Sequence, residues 1–454
     1  MADQDLTKGP VWRALAAVSA PMAFGILSVL SVGLVDAWFL ARLGQAPLAA
    51  IGFIYPTTTA IVSLSIGLSA GANAAVSQAI GRGTDGGDVT RMSLHALGLG
   101  VALSLLGAGL FIAAYDRLFA LMGAGPEVLD EIRAYVPWWT LSFPVLVAGM
   151  VTNAILRAHG NAAMAAIFMI GGALVNVAMN PVLIFGAGPV PALGTEGAGM
   201  ATFIGRAAAT VVGLAYAIRG GYLNRCGTLM RQLQPNLAAI VGVGAPAAFS
   251  NAINPAGMAL VTAAVATLGD AAVAGFGAAT RVQAVAIVTL MALSAGMSPM
   301  VGQNWGAGRV DRARAALLQA WAFCLLYGLG IAALLTLDGE AIARAFTSDA
   351  DAAGFARDYL QVVSWSFAGY GVLVTANAAF NARSKPLFAM GLGIGRTVAV
   401  YFPLAWLGVT MLGYPGILAA AIAANLAGAA GALALARRAG LLPGWPETRG
   451  VLGA

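Results

Sequence analysis

Charge is what this sequence has least of. Only 9% of its 454 residues are Asp, Glu, Lys or Arg, and 60% are hydrophobic, against about 25% charged residues in an ordinary soluble protein. A mean hydropathy of +0.84 excludes a soluble domain, and nothing in the net charge of +6 suggests nucleic-acid binding. Cysteine and histidine are equally sparse. Cys226 lies in a polar linker and Cys324 in an apolar run, so no disulfide framework or thiolate site follows. His95 and His159 form neither HxxxH nor HExxH, which argues against a metal centre. No residue pattern calls for a cofactor, and no cluster of His, Asp and Ser suits an enzyme.

Long apolar runs are what it has instead. Runs of about 20 or more residues suffice for helices crossing a bilayer, whereas the strands of a membrane barrel would alternate over roughly 10 residues. The expected fold is an all-α polytopic membrane protein of twelve transmembrane helices. The spans fall near 14–40, 47–80, 92–114, 134–156, 162–186, 197–218, 237–265, 271–302, 315–337, 358–381, 387–411 and 415–436. The 59 glycines suit helices whose backbones approach closely. Pro21 and the apolar continuation to Leu40 mark the first run as an uncleaved span.

The most polar linker divides the chain into 1–218, a linker over 219–236, 237–437 and a tail over 438–454. The halves repeat one another. Pro21 matches Pro246 (246 − 21 = 225), and Leu43-Gly44, Gly52, Gln78, Gly81 and Gly83 match Leu268-Gly269, Gly277, Gln303, Gly306 and Gly308 at the same offset. Two pseudo-symmetric six-helix lobes follow, entering from the same side as parallel repeats, which is a transporter architecture. Basic residues such as Lys8, Arg82, Arg157, Arg219, Arg225, Arg312, Lys385 and Arg449 collect on one side, so both termini are expected to be cytoplasmic. The absence of a targeting peptide points to a bacterial inner membrane, with a monomer in the lipid bilayer as the expected unit.

Of the 18 acids only Asp36 falls well inside a span, Asp358 standing at the first residue of the tenth. A charge at membrane depth costs several kcal/mol and is retained where a bundle interior or wet cavity uses it. Burial disfavours the charged carboxylate, so Asp36 suits a proton or cation site; the bland reading is an acid reaching the interface. Asn176 and Asn180 lie one turn apart on one helix face. Asn153 and Thr202 are candidates to complete a polar cluster, and interhelical hydrogen bonding is the competing role. Pro21 is a candidate bend, and Asn180-Pro181 a candidate local kink. Phe39, Tyr55 and Met179 are candidates to line an adaptable apolar cavity. Arg206, Arg281 and Arg396 must face protein or water, with structural pairing their expected role.

Pro21 with GLVDAWFLARLG and LAAIG, SQAIGRG, NPVLIFG with GTEGAGMAT, RVQAVAIV and GQNWGAGR together resemble the multidrug and toxic compound extrusion (MATE) family, over nearly the whole chain. The resemblance implies secondary antiport: an ion gradient drives export of amphipathic, often cationic small molecules by alternating access. It implies a coupling role for Asp36 with Asn153, Asn176 and Thr202. A second acid of that network falls here at Asn180, which removes one titratable group. Members that use sodium carry carboxylates in the seventh and tenth spans, and this chain has none between Leu237 and Val265 or between Leu360 and Asn381, so it looks like the proton-coupled, DinF-like branch. Sodium coupling and a lipid or lipid-linked sugar flippase of related architecture are the alternatives.

Overall fold

Backbone amides and carbonyls find no water at membrane depth, so an apolar run closes its hydrogen bonds within itself as a helix. The computed structural model of the chain describes residues 5–224, 227–347 and 349–443. Arg225, Cys226 and Arg449 lie outside the described residues. The first helices are α1 (Val11–Ala41), α2 (Gln45–Gly81), α3 (Gly86–Leu121), α4 (Pro126–Ala158), α5 (Ala162–Phe185) and α6 (Gly194–Arg219). They are followed by α7 (Leu233–Ala266), α8 (Asp270–Ala286), α9 (Val288–Gly306), α10 (Val310–Phe346), α11 (Ala350–Val363), α12 (Phe367–Ala382), α13 (Pro386–Ile394), α14 (Phe402–Leu412) and α15 (Tyr414–Arg438). Among the described residues the β-type pairing is limited to an isolated bridge between Ala187 and Val190.

Each apolar run of the sequence corresponds to one helix or one broken helix. Among the described residues eleven spans are long and apolar enough to cross a membrane, and α8 with α9, bent by 44°, makes a twelfth if the pair is one span. That bend has no proline at its centre. The break falls at Ile287, and Tyr327 of α10 donates its hydroxyl to the carbonyl of Ala286 at 2.9 Å, giving the interrupted backbone a partner. Two other spans are irregular without a sharp break. A 3₁₀ turn, Ser364–Ser366, joins α11 to α12, and a π-helical turn, Gly395–Tyr401, joins α13 to α14. Conversely, α1 runs on through Pro21 and α5 through Pro181, so neither proline ends its helix.

The repeated glycines have a backbone reason. Gly44 and its counterpart Gly269 precede α2 and α8 with φ of 141° and 104°, while Gly83 and its counterpart Gly308 follow α2 and α9 with φ of 69° and 70°. Side chains with a Cβ rarely adopt such angles. The same turns therefore open and close corresponding spans in both halves.

The chain forms two compact units, one over Ala20–Ala248, the other combining Leu6–Ser19 with the chain from Phe249 onward. The division thus falls inside α1 and α7, not at the 219–236 linker. The physical reason is that each of these long helices packs its first turns in one unit and its remainder in the other. In the second unit Leu6 is fully buried, with its amide donating to Gln303 Oε1 at 3.2 Å and its carbonyl accepting from Asn304 Nδ2 at 3.1 Å. In the first, His95 Nε2 donates to Leu229 O at 2.7 Å and its Nδ1 accepts from Asn236 Nδ2 at 3.1 Å. His95 is thereby a packing residue, as is His159, which stacks on Tyr222 at 4.5 Å.

The first unit's core is aromatic. Phe111, Phe119, Tyr135, Trp139 and Phe143 gather from α3 and α4, with Trp139 and Phe143 edge to face at 4.6 Å. Beside it α5 and α6 meet through glycines. A Cβ on Gly205 would stand 2.7 Å from Asn176 Cβ and 2.8 Å from the carbonyl of Gly172. Gly205→Val is therefore expected to force α5 from α6 and cost about 1–3 kcal/mol. Gly171→Ala, where a Cβ meets nothing within 4 Å, serves as the control. Thermal unfolding in detergent should show a clear drop for the first variant and none for the second.

Candidate functional site

Four helices of the first unit bring their polar residues to one place. Asp36 lies in the last turns of α1, after a run with no other ionisable group since Arg13. On α5 the one-turn spacing of Asn176 and Asn180 aims both amides the same way, and both are buried, Asn180 completely. Gly205 on α6 allows the close approach described above, so α6 presents Thr202 and Arg206, again one turn apart, to the same region. Tyr135 and Ser142, two turns apart on α4, complete it.

Asn180 is the centre of the network. Its Nδ2 donates to Asp36 Oδ1 at 2.6 Å and to Asn176 Oδ1 at 3.1 Å. Two atoms of this chain remain buried without a partner, Asn180 Oδ1 and Asn176 Nδ2. Arg206 is the cation whose charge acts on Asp36, and it donates through Nη1 to Ser142 Oγ at 2.5 Å. Ser142 passes its own hydrogen to the carbonyl of Trp139. Tyr135 is buried, interacts with Thr202 through their side chains, and feels the charges of both Asp36 and Arg206. Thr202 itself donates to Ala198 O at 3.1 Å. The Asn180 N–H is the hydrogen-bond donor that faces the carboxylate.

Not every expected residue joins. Asn153 sits eleven residues beyond Ser142 on α4, roughly 16 Å along the helix axis, and hydrogen bonds do not link it to Asp36. Tyr55 on α2 is 66% exposed and makes no contact with the network. Phe39 packs against Trp38 at 4.8 Å and Phe185 at 6.0 Å, at the edge of the aromatic core. Met179 is half-buried beside Asn180. Pro21 lies a residue past the point where α1 passes from the second unit into the first. Tyr135 and Ser142 were not singled out as site residues, and Arg206 was expected in a structural role. A usable signal was present: α4, α5 and α6 each carry a pair of polar residues at whole-turn spacing within an otherwise apolar run.

Among the described residues no carboxylate oxygen forms an ion pair with Arg206, Arg281 or Arg396; the ion pairs, such as Arg133 with Asp116 at 2.8 Å and Arg344 with Glu340 at 2.5 Å, involve residues near helix ends. No group of three or more His, Cys, Asp or Glu able to hold a metal is found among them either.

Repeated membrane spans with one acid at depth, surrounded by amides and a lone arginine, define a membrane transporter of small molecules. The MatE family model matches residues 21–182 and 246–407, and the chain belongs to this family of transporters. Its two matched segments start at the repeat prolines, Pro21 and Pro246. Over 427 residues the chain is 33% identical to the FAD transporter of Shewanella oneidensis, covering 93% of both proteins. It is 24% identical over 419 residues to the multidrug export protein MepA of Staphylococcus aureus, covering 90% of each. Among solved structures, an aspartate-to-asparagine mutant of the Vibrio cholerae MATE transporter VcmN superposes with a TM-score of 0.88 at 26% identity, over 94% of this chain and 97% of that one.

Replacing Asn180 by Leu removes the N–H that serves the Asp36 carboxylate. A hydrogen bond to a charged group contributes about 1.5–3 kcal/mol, so Asn180→Leu is expected to lower thermal stability by that order at pH 8. The loss should shrink when Asp36 is itself replaced by Asn, which carries no charge for the donor to serve. Equal destabilisation with and without the carboxylate would count against the charge-assisted bond.

Proposed function

We propose that this chain is a proton-driven exporter of a flavin nucleotide, with FAD the first candidate cargo, working in the bacterial inner membrane with both termini cytoplasmic. The observation that carries the coupling is Asp36 itself: a half-buried acid in the last turns of α1, held by Asn180. The cargo rests on similarity to the Shewanella oneidensis FAD transporter over nearly the whole chain. It also rests on the balance of charge at depth, where Arg206, Arg281 and Arg396 outnumber the single acid and suit an anion better than a cation.

The network offers a way to accept a proton. With Asp36 charged, Asn180 must point its Nδ2 at the carboxylate, which leaves Asn180 Oδ1 and Asn176 Nδ2 unpaired. Once Asp36 carries a proton it becomes a donor, and rotation of both amides lets Asp36 O–H meet Asn180 Oδ1 while Asn176 Nδ2 serves the same oxygen. Asn180 Oδ1 and Asn176 Nδ2 then have partners while Asn180 Nδ2 and Asn176 Oδ1 give theirs up, so the network keeps two hydrogen bonds in either protonation state. Protonation also removes the anion that balances Arg206, so the cation becomes available to other partners. Each ligand, proton or cargo, shifts the conformational equilibrium only through its differential affinity for the two states, and α1 with Pro21, like α7 with Pro246, is continuous with both units.

A second reading, export of amphipathic organic cations, is favoured by the similarity to MepA and by Asp36 as a counter-ion. Proteoliposomes with an imposed pH gradient separate the two. FAD movement that follows the gradient and ignores sodium is expected for the wild-type protein, whereas Asp36→Asn should express normally and lose gradient-driven transport. Normal transport by that variant sinks the coupling role. Movement of a cationic dye but not of FAD would favour the second reading, and a sodium requirement would refute proton coupling.

A further inference from the structure

The second unit contains a cation that neither the coupling network nor any ion pair accounts for. Arg396 lies in the π-helical turn Gly395–Tyr401, in the middle of a span. A π turn widens the helix locally and occurs frequently at functional sites. A guanidinium at membrane depth without a carboxylate is costly and is retained where something uses it.

Its setting is built. Arg396 Nε and Nη2 donate to Asn425 Oδ1 at 3.1 and 2.9 Å, Asn425 Nδ2 donates to Ser366 Oγ at 2.8 Å, and Ser366 Oγ donates to Val363 O at 2.7 Å. The chain of bonds locks the guanidinium plane and leaves Nη1 with no protein acceptor. Its charge lies over Tyr370 at 5.3 Å and Tyr401 at 6.0 Å from the ring centroids. Gly428 lies beside the stem, where a Cβ would stand in ordinary contact with Arg396 Cδ at 3.5 Å but would clash with Leu373 Cδ1. Around this cation stands a tyrosine cluster. Tyr359 feels the charges of Arg396, Tyr401 and Tyr414, and its hydroxyl donates to Gln283 Oε1 at 2.7 Å. The hydroxyls of Tyr401, 2% exposed, and Tyr414, 5% exposed, are buried with no partner at all. One locked guanidinium edge and two unsatisfied phenol hydroxyls make a site rich in donors; Asp358, the acid whose charge reaches Tyr414, is itself paired with Arg357 at 2.8 Å.

We propose that Arg396, with the Tyr401 and Tyr414 hydroxyls, forms a phosphate subsite in the second unit that takes the pyrophosphate of the exported nucleotide. For its cargo this rests on the flavin-nucleotide reading above; the anion site itself rests on the side chains. A guanidinium fork matches phosphate oxygens, and each phenol supplies a further donor. Coupling in one unit and anion recognition in the other fit the unequal charge of the two repeats, where Asp36 meets Val261 at the repeat offset.

Full-length protein in phosphatidylcholine nanodiscs provides the test, with binding of FAD, riboflavin and inorganic pyrophosphate measured by flavin fluorescence and calorimetry. Arg396→Gln should weaken FAD by about ten-fold or more, abolish competition by pyrophosphate, and leave riboflavin, which has no phosphate, unchanged. Tyr401→Phe should weaken FAD several-fold, and Arg396→Lys should restore part of the loss. Equal FAD binding by wild type and Arg396→Gln would overturn the subsite, as would loss of riboflavin together with FAD. Nanodiscs containing phosphatidylglycerol identify the other phosphate source: an Arg396-dependent effect of that lipid in place of FAD would overturn the assignment to cargo. If the wild type binds pyrophosphate through Arg396 but not FAD, the anion site stands and the flavin reading falls.

Discussion

The hydrogen bond from Asn180 to Asp36 carries the greatest constraint in the first unit. A carboxylate in an apolar span is tolerated only with donors and a counter-charge nearby, and one amide N–H with one guanidinium meets that need. Much of the surrounding packing serves it. Gly205 and Gly172 let α5 and α6 approach closely enough to put Asn176, Asn180, Thr202 and Arg206 in one region, and the aromatic core of α3 and α4 backs Tyr135 and Ser142. The network is asymmetric in its satisfaction, because an amide that donates to a carboxylate must leave its own oxygen unserved. Two buried atoms, Asn180 Oδ1 and Asn176 Nδ2, stand without a partner beside a titratable group.

The two repeats share a scaffold and differ in chemistry. Corresponding glycines with positive φ open and close corresponding spans, and corresponding prolines sit where α1 and α7 pass from one unit to the other. On that shared frame the first unit holds an acid within amides, and the second holds an arginine within tyrosines. Duplication of a membrane half preserves backbone turns because they depend on glycine. The charged positions are free to diverge, since each depends only on its local partners.

Membrane depth explains why so much was legible. An apolar run must be helical there, so the spans could be located, several of them short of the helix ends by up to nine residues where polar turns extend the helix beyond the apolar run, and an acid deep in the first could be singled out. Proline was a poorer guide. Pro21 and Pro181 leave their helices continuous, while the sharp bend between α8 and α9 falls where a tyrosine hydroxyl, not a proline, relieves the backbone. The polar linker also proved a poor marker of the compact units, because a helix shared between two units has no composition shift at the point of sharing.

The sequence by itself determined the helical membrane fold, the internal repeat, the turn glycines and the uniqueness of Asp36, since each follows from the cost of exposing a backbone or a charge to lipid and needs no knowledge of neighbours. Tertiary structure alone decided the partners. Which face of α4, α5 and α6 meets Asp36, why Asn153 stands apart while Tyr135 and Ser142 join, and how Arg396 is locked by Asn425 all depend on helix rotation and crossing. Those are set by the summed packing of many apolar contacts, which leaves no local trace at the polar residues it brings together.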